Sequence, residues 1–497
     1  MKAEKFYITT PIYYVNAKPH IGHAYTTIAA DCLARYYRSQ GREVHFLTGT
    51  DEHGQKIQKA AQDLNLSPKK FTDRISPQFK QLWATLNISN NDFIRTTEPR
   101  HIAAVQKFWD ILKANGEIYE GEYGGWYCVP DETFWMESQL IDGKCPDCRR
   151  PVEFIKEKNY FFRLSKYQGW LMQYLKDHPD FVFPQTRYNE VMGFLDNNTL
   201  TDLCVSRPKS RLNWGIPLPF DPDHVTYVWF DALVNYISAI GFVDDQQKFE
   251  TFWPADVHMM AKDIIRQHAI TWPIMLKAAG LPLPKQIVAH GWWKMGEVKM
   301  SKSLGNVVDP VEMVERYGVD AFRYFLLRDV SFGTDGNFST ESFEKRFNGD
   351  LANDLGNLVH RTSSMVIKYT GGPILPLENI VFPDGVDNPD LRKFIEGKSD
   401  DPLRHIKCFE FHSSLEEIWQ VIGAANKFVE QVKPWNIKKE GKEKELAEFL
   451  KIMITVIRWV GLKISPFMPA TSHLIEDQFG GDSVKKGEPL FPRLEVT

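Results

Sequence analysis

An apolar run, KFYITTPIYYV, opens the chain, and a turn follows it. Next come an apolar-periodic stretch AYTTIAADCLARYYRSQG, a second run EVHFLTGT and a second periodic stretch QKIQKAAQDL. Short apolar runs bounded by turn residues predict strands, and apolar residues three and four apart predict helices. Strand and helix therefore alternate from residue 5 to about 60, a rhythm that favours a parallel sheet with crossover helices. The same rhythm returns in HVTYVWFDALVNYI, DVHMMAKDIIRQHAITWPIMLKAAG and QIVAHGWW. Between the two parts, GEYGGWYCVPDETFWMES and DGKCPDCRRP bring turns, aromatics and cysteines, which reads as a small insertion. Residues 1 to about 115 and about 218 to about 325 are thus two halves of one α/β domain. From about residue 350 the strand pattern is gone. LANDLGNLVHRTSSMVIKY, FHSSLEEIWQVIGAANKFVEQVKPW and LAEFLKIMITVIRWVGLKI show helical spacing and predict a bundle, with TGGPILPLENIVFPDGVDNPD as a long connection.

Composition narrows this picture without redirecting it. A chain of 497 residues, 43% of them hydrophobic, is long enough for three or four domains with their own cores. A net charge of −4 excludes a uniformly basic surface but allows a local basic patch. MKAEKFYITT lacks a signal pattern, and KIMITVIRWVGLKISPF is interrupted by Arg458 and Lys463 before membrane length, so the expectation is a soluble, cytoplasmic protein. Six cysteines, three of them scattered (Cys32, Cys204, Cys408), argue against a disulfide framework and leave the clustered three to be explained.

Two short stretches carry candidate chemistry. His20-Ile21-Gly22-His23 follows the first strand, where helix N-terminal amides face a crevice that binds anions. Gly22 lets a ligand approach the backbone and two imidazoles donate to phosphate oxygens, an arrangement that suits a nucleoside triphosphate. Lys299-Met300-Ser301-Lys302-Ser303 follows the strand QIVAHG, with Gly296 and Gly305 bracketing a loop whose cations can close over phosphates. Taken singly, such histidines are more often surface or capping residues, and such lysines are usually solvated charge. Their conjunction is the specific signal.

HIGH after a first strand and KMSKS after a late one, in one α/β domain, resemble the class I aminoacyl-tRNA synthetases. TTPIYYVNAKPHIGHAYTT, FLTGTDEHGQKI, YVWFDALVNY, KDIIRQHA, HGWW, KMSKSLGNVVDP and NKFVEQVKPWN extend the resemblance, within that class, to the methionine-specific family over nearly the whole chain. An insertion of about 100 residues is too small for the editing domains of the Ile, Val and Leu enzymes. The resemblance implies a Rossmann-like parallel-sheet catalytic domain (1–115 and 218–325) split by a connective insertion (116–217). A linker that contacts the tRNA stem (326–350) and an all-α anticodon-binding bundle (351–497) would follow.

It also implies activation of L-methionine by ATP with Mg²⁺, giving methionyl-adenylate and pyrophosphate, and transfer to methionine tRNAs with a CAU anticodon. By the same resemblance His20, His23, Lys299 and Lys302 are catalytic, and Gly22, Asp263 and Ser301 bind ATP. Ile12, Tyr14, Asp51, Trp229, Ala232, Leu233, Tyr236, Ile264 and His268 form the methionine pocket, with Asp51 on the ammonium. Apolar and aromatic walls with one carboxylate suit a thioether amino acid. Asn357, Arg361 and Trp435 fall at positions that read the anticodon.

The chain departs from the family pattern in three places. Cys128-x-x-Asp131 and Cys145-x-x-Cys148 have zinc-knuckle spacing, but relatives carry Cys or His where Asp131 stands. One structural zinc and three reduced thiols of a degenerate site are both open on this reading. Ala261 precedes Lys262-Asp263 where relatives often have Gly. PLFPRLEVT ends the sequence where many bacterial relatives continue into an OB-fold, so the expectation is either a monomer or a separate OB-fold tRNA-binding subunit in trans.

Overall fold

The computed structural model describes residues 4–16, 18–131, 133–135, 137–295, 298–299 and 308–494. They form two compact units. The first runs to Ala30 and takes Tyr37–Ala84 and Ile88–Gly291; the second takes Asp31–Tyr36, Thr85–Asn87 and the chain from Trp292 onward.

In the first unit, strand β1 (Lys5–Tyr14) leads into helix α1 (Ile21–Ser39), and β2 (Glu43–Asp51) leads into α2 (Gln55–Asp63). Helix α3 (Pro68–Thr85), strand β3 (Asp92–Arg95) and helix α4 (Pro99–Ala114) follow. β1 is rich in β-branched and aromatic residues, and seven of its ten residues are buried, as expected of a parallel strand covered on both faces. It pairs in parallel with β2 from Lys5↔Glu43 to Tyr14↔Asp51, and the register shifts between Thr9 and Ile12. Pro11 lies in that interval and has no N–H to give the ladder.

The chain then leaves the sheet. β4 (Ile118–Cys128), β5 (Thr133–Trp135), β6 (Glu153–Phe162) and β8 (Leu203–Cys204) make an antiparallel sheet in the order β5-β4-β6-β8. Between β6 and β8 the chain returns to the main sheet for two residues, β7 (Val182–Phe183), flanked by helices Gln168–Asp177 and Gln185–Asn197. β9 (Ser206–Pro208) and β10 (His224–Thr226) form a small ribbon. β11 (Val257–Ala261) and β12 (Ile287–His290) then complete a six-stranded sheet in the order β3-β2-β1-β11-β12-β7, with every neighbouring pair parallel. The strand order reverses between β1 and β11, which places a ligand crevice at the carboxyl ends of those strands. This is a Rossmann-like core split by an insertion.

The second unit starts with strands β13 (Trp293–Met295) and β14 (Val298–Lys299), and β15 (Gly336–Asn337) pairs alongside β13. The remainder is helical: Pro310–Tyr317, Val319–Arg328, Thr340–Arg346 running on to Thr370, Phe411–Val432, Glu443–Ile464 and Pro469–Phe479 are its main elements. At its centre Arg323 is fully buried, donating to Asp31 at 2.7 Å and to the carbonyls of Leu86, Pro466 and Phe467. A guanidinium taken out of water needs such a complete set of acceptors. Arg458, in the most apolar late helix, donates to the carbonyls of Phe479 and Gly481. Among the described residues no helix is long and apolar enough to cross a membrane.

Candidate active site

The HIGH turn joins β1 to α1, and its two imidazoles hold each other in place. The His20 carbonyl accepts from the N–H groups of His23 (2.9 Å) and Ala24 (3.2 Å), opening the helix. His20 Nδ1 accepts from the Gly22 N–H at 3.1 Å, and His23 Nδ1 accepts from the His20 N–H at 3.2 Å. Side chains thus satisfy backbone donors at a helix N-terminus, the task usually done by a capping box. Because each Nδ1 is an acceptor, the neutral form of each ring carries its proton on Nε2. The rings stack with centroids 3.8 Å apart. A Cβ at Gly22 would lie 3.0 Å from His20 Cε1 and 3.2 Å from His20 Nδ1, so a larger residue there would push on the His20 ring. Tyr13 packs edge-on against His23 at 4.8 Å, and burial pushes the Tyr13 hydroxyl up to about 12.

The carboxyl edge of the sheet supplies the remaining groups. His290, at the end of β12, donates through Nδ1 to the Gly291 carbonyl at 2.7 Å, and its Nε2 accepts from the Thr26 hydroxyl of α1 at 2.6 Å. Burial holds this imidazole neutral, down at about 4. Asp263 stands exposed in the turn Lys262–Ile264 that follows β11. Asp51 ends β2, buried, opposite Tyr14 in register.

Leu233 and Tyr236 are core residues of the first unit, and Ile12, Tyr14, Trp229 and Ile264 are half-buried against the same cluster. Ala232 is buried in the helix Val228–Leu233. The Tyr236 hydroxyl donates to His268 Nε2 at 2.7 Å, since His268 Nδ1 is committed as a donor to the Ile264 carbonyl at 2.9 Å. Burial lowers His268 to about 4 and raises Tyr236, so both are neutral. Behind Tyr236, the His258 ring stacks at 4.1 Å, bonded to Thr9 at 2.7 Å. All nine pocket positions read from the sequence therefore lie on elements of the one unit.

Sequence reasoning missed a group beside them. Asp231, fully buried, takes His53 Nδ1 on one oxygen at 2.7 Å and His101 Nε2 on the other at 2.6 Å. Burial would raise its carboxyl, but the charge and hydrogen bonds of His53 and His101 outweigh that and hold it below the usual range. His53 and Asp231 both sit in stretches used for the resemblance, but 178 residues separate them, and no local pattern marks the pair.

The chain matches the model of the class I tRNA synthetases (M) over residues 6–153 and 150–363. It is 50% identical to the methionine–tRNA ligase of Caldanaerobacter subterraneus over 99% of this chain and 79% of that protein. It is 46% identical to the corresponding ligase of Thermotoga maritima over 99% of this chain and 81% of that one. The Mycobacterium tuberculosis methionyl-tRNA synthetase, solved in complex with methionyl-adenylate, superposes with a TM-score of 0.90 at 40% identity, covering 99% of this chain and all of that one. The chain belongs to the class I methionyl-tRNA synthetases.

The insertion of this methionyl-tRNA synthetase carries a cysteine cluster. One oxygen of Asp131 lies 3.2 Å from Cys128 Sγ and 3.1 Å from Cys145 Sγ, and Cys128 Sγ lies 3.4 Å from Cys148 Sγ. Four donor atoms within 4.8 Å of one another, three thiols and one Asp131 carboxylate oxygen, suit the small tetrahedral coordination of a divalent cation. Burial pushes the Cys145 thiol up to about 11 and raises Cys128 further. The thiol hydrogen bonds outweigh burial at Asp131 and keep its carboxyl low. Zinc entering this cage would release the thiol protons.

In the second unit, Asn357 begins a helix, exposed, and Arg361 on the next turn pairs with Glu430 at 2.8 Å. Trp435 is 38% exposed at the start of the helix Pro434–Lys439, just after Lys433, whose φ of +50° turns the chain outward. Lys299 ends β14, paired with Lys294 of β13. The Lys299 side chain, Ser301 and Lys302 lie outside the described residues.

Proposed function

We propose that this chain is a methionine–tRNA ligase, which activates L-methionine with ATP to methionyl-adenylate and pyrophosphate and then transfers methionine to the 3′ end of its tRNA. The observation that carries this conclusion is a family match across nearly the whole chain in a protein whose HIGH turn sits at the carboxyl edge of the sheet. His20 and His23 grip the triphosphate through their two Nε2–H groups as the methionine carboxylate attacks the α-phosphorus. Gly22 admits adenine against the backbone, and Asp263 takes the ribose hydroxyls. Lys299 and Lys302, with Ser301, stabilise the departing pyrophosphate. Mg²⁺ enters with ATP and neutralises charge between its phosphates. No covalent intermediate on the protein is needed, so positioning and preorganised donors supply the rate.

Asp51 holds the methionine ammonium, and Ile12, Tyr14, Trp229, Ala232, Leu233, Tyr236, Ile264 and His268 enclose the side chain. What supports this is their position on the carboxyl edge or on the helices packed against it. Cys128, Asp131, Cys145 and Cys148 hold one structural zinc, a cross-link for the insertion. Asn357, Arg361 and Trp435 read the CAU anticodon, Trp435 by stacking. The catalytic domain spans 1–115 and 218–325 around the 116–217 insertion, which lends β7 to its sheet; 326–350 contacts the tRNA stem and 351–497 the anticodon. The enzyme works in the cytoplasm, where its tRNA is charged. The test is methionine-dependent exchange of labelled pyrophosphate into ATP, beside leucine, isoleucine, valine and cysteine. Exchange with methionine alone is expected; equal exchange with a second amino acid overturns the specificity.

A further inference from the structure

None of the adenylation steps uses the buried bridge His53–Asp231–His101, yet it joins the loop after Asp51 to the helices that carry Trp229 and Tyr236. His53 follows Asp51 by two residues, and Asp231 follows Trp229 by two and directly precedes Ala232 and Leu233. His101, on α4, uses its second nitrogen on Ser238 at 2.9 Å, two residues after Tyr236. We propose that this bridge is a positioning device for the amino-acid pocket: it sets the spacing between Asp51 and the helices carrying Trp229, Leu233 and Tyr236, and so sets the affinity for methionine. The inference rests on the assignment of those residues to the pocket.

The geometry supports this at each joint. Positions 229 and 231 of a helix are about 200° apart around its axis, so Asp231 anchors the back of the turn whose front carries Trp229. Two residues of chain reach at most about 7 Å, so a displaced His53 drags Asp51 with it. Both oxygens of Asp231 are taken, at 2.6 and 2.7 Å, and no slack is left between the three elements. Burying a carboxylate costs several kcal/mol in lost hydration, which an apolar side chain would avoid. What the charged group adds is two directional bonds into two separately anchored elements. The His53 loop is itself tied down, since the Gly54 N–H donates to the Trp214 carbonyl at 3.2 Å and the Trp214 indole donates to the Glu52 carbonyl.

The experiment measures methionine-dependent pyrophosphate exchange in the full chain for His53→Gln, Asp231→Asn and Asp51→Asn. His53→Gln breaks one arm and leaves the other, so it stands as the test if Asp231→Asn does not fold. The expected result for His53→Gln and Asp231→Asn is a methionine KM raised about 10- to 100-fold, with kcat and the ATP KM within about threefold. A packing role alone would lower the melting temperature without that split. A methionine KM within about twofold of the parent in folded His53→Gln, while Asp51→Asn raises it, overturns the bridge and spares the pocket assignment. No rise in Asp51→Asn overturns the pocket assignment itself.

Discussion

Tyr236→Phe removes one oxygen from the interior and leaves everything else in shape. In the parent, that hydroxyl donates to His268 Nε2 at 2.7 Å, and His268 is 2% exposed, so water cannot replace the donor. The imidazole cannot turn its lone pair elsewhere, because its Nδ1–H is held by the Ile264 carbonyl at 2.9 Å. The variant therefore strands a buried acceptor, at a cost of about 1–3 kcal/mol. Part of that cost appears as a melting temperature lowered by a few degrees. The rest appears in methionine binding, since His268 and Ile264 belong to the proposed methionine pocket: about 1.4 kcal/mol would raise the methionine KM about tenfold and leave the ATP KM unchanged. A double variant with His268→Gln should fall short of the sum of the single effects by about 0.5–3 kcal/mol, as for residues in contact. Thermal melting and exchange kinetics with methionine and ATP varied in turn measure both quantities. A Tyr236→Phe enzyme with parental melting and a methionine KM within about twofold would refute the reasoning.

Acid should weaken the fold before it protonates the carboxylates. Burial holds His45, His268 and His290 down at about 4, while their unfolded forms take up protons near 6.5, so stability is full above about pH 6.5 and declines as pH falls toward 4. At pH 5 each contributes a loss of about 2 kcal/mol, and melting that stays flat from pH 7.5 to 5 would contradict this. Trp435→Ala should leave pyrophosphate exchange intact and lower the kcat/KM of tRNA charging roughly 5- to 150-fold, the worth of one lost base stack of about 1–3 kcal/mol. Elemental analysis of enzyme purified without chelator should find about one zinc per chain, and Asp131→Ala should lower it; parental zinc in Asp131→Ala would remove Asp131 from the ligands.

What the sequence made legible was local. β1, α1 and β2 announce themselves by period, and the HIGH turn lies between the first strand and the first helix because those elements end where their apolar patterns end. β7 left no trace, since two residues of strand before Pro184 carry no period. The buried polar contacts were equally silent. Arg323 with Asp31, Thr26 with His290 and Asp231 with its two histidines join residues 130 to 292 positions apart. Arg458 shows the same limit from the other side: as a letter it only interrupts an apolar run, whereas in the fold it satisfies carbonyls at the end of the last helix and just beyond it.

In the proposed function the HIGH turn acts on the transition state through two Nε2–H donors. The most direct measurement is pyrophosphate exchange by His20→Asn and His23→Asn, with methionine and ATP each varied to saturation. kcat should fall about 10²- to 10³-fold in each variant while both KM values stay within a few-fold. A kcat near the parental value, with the loss confined to KM, would show that the turn only binds ATP and would refute its transition-state role.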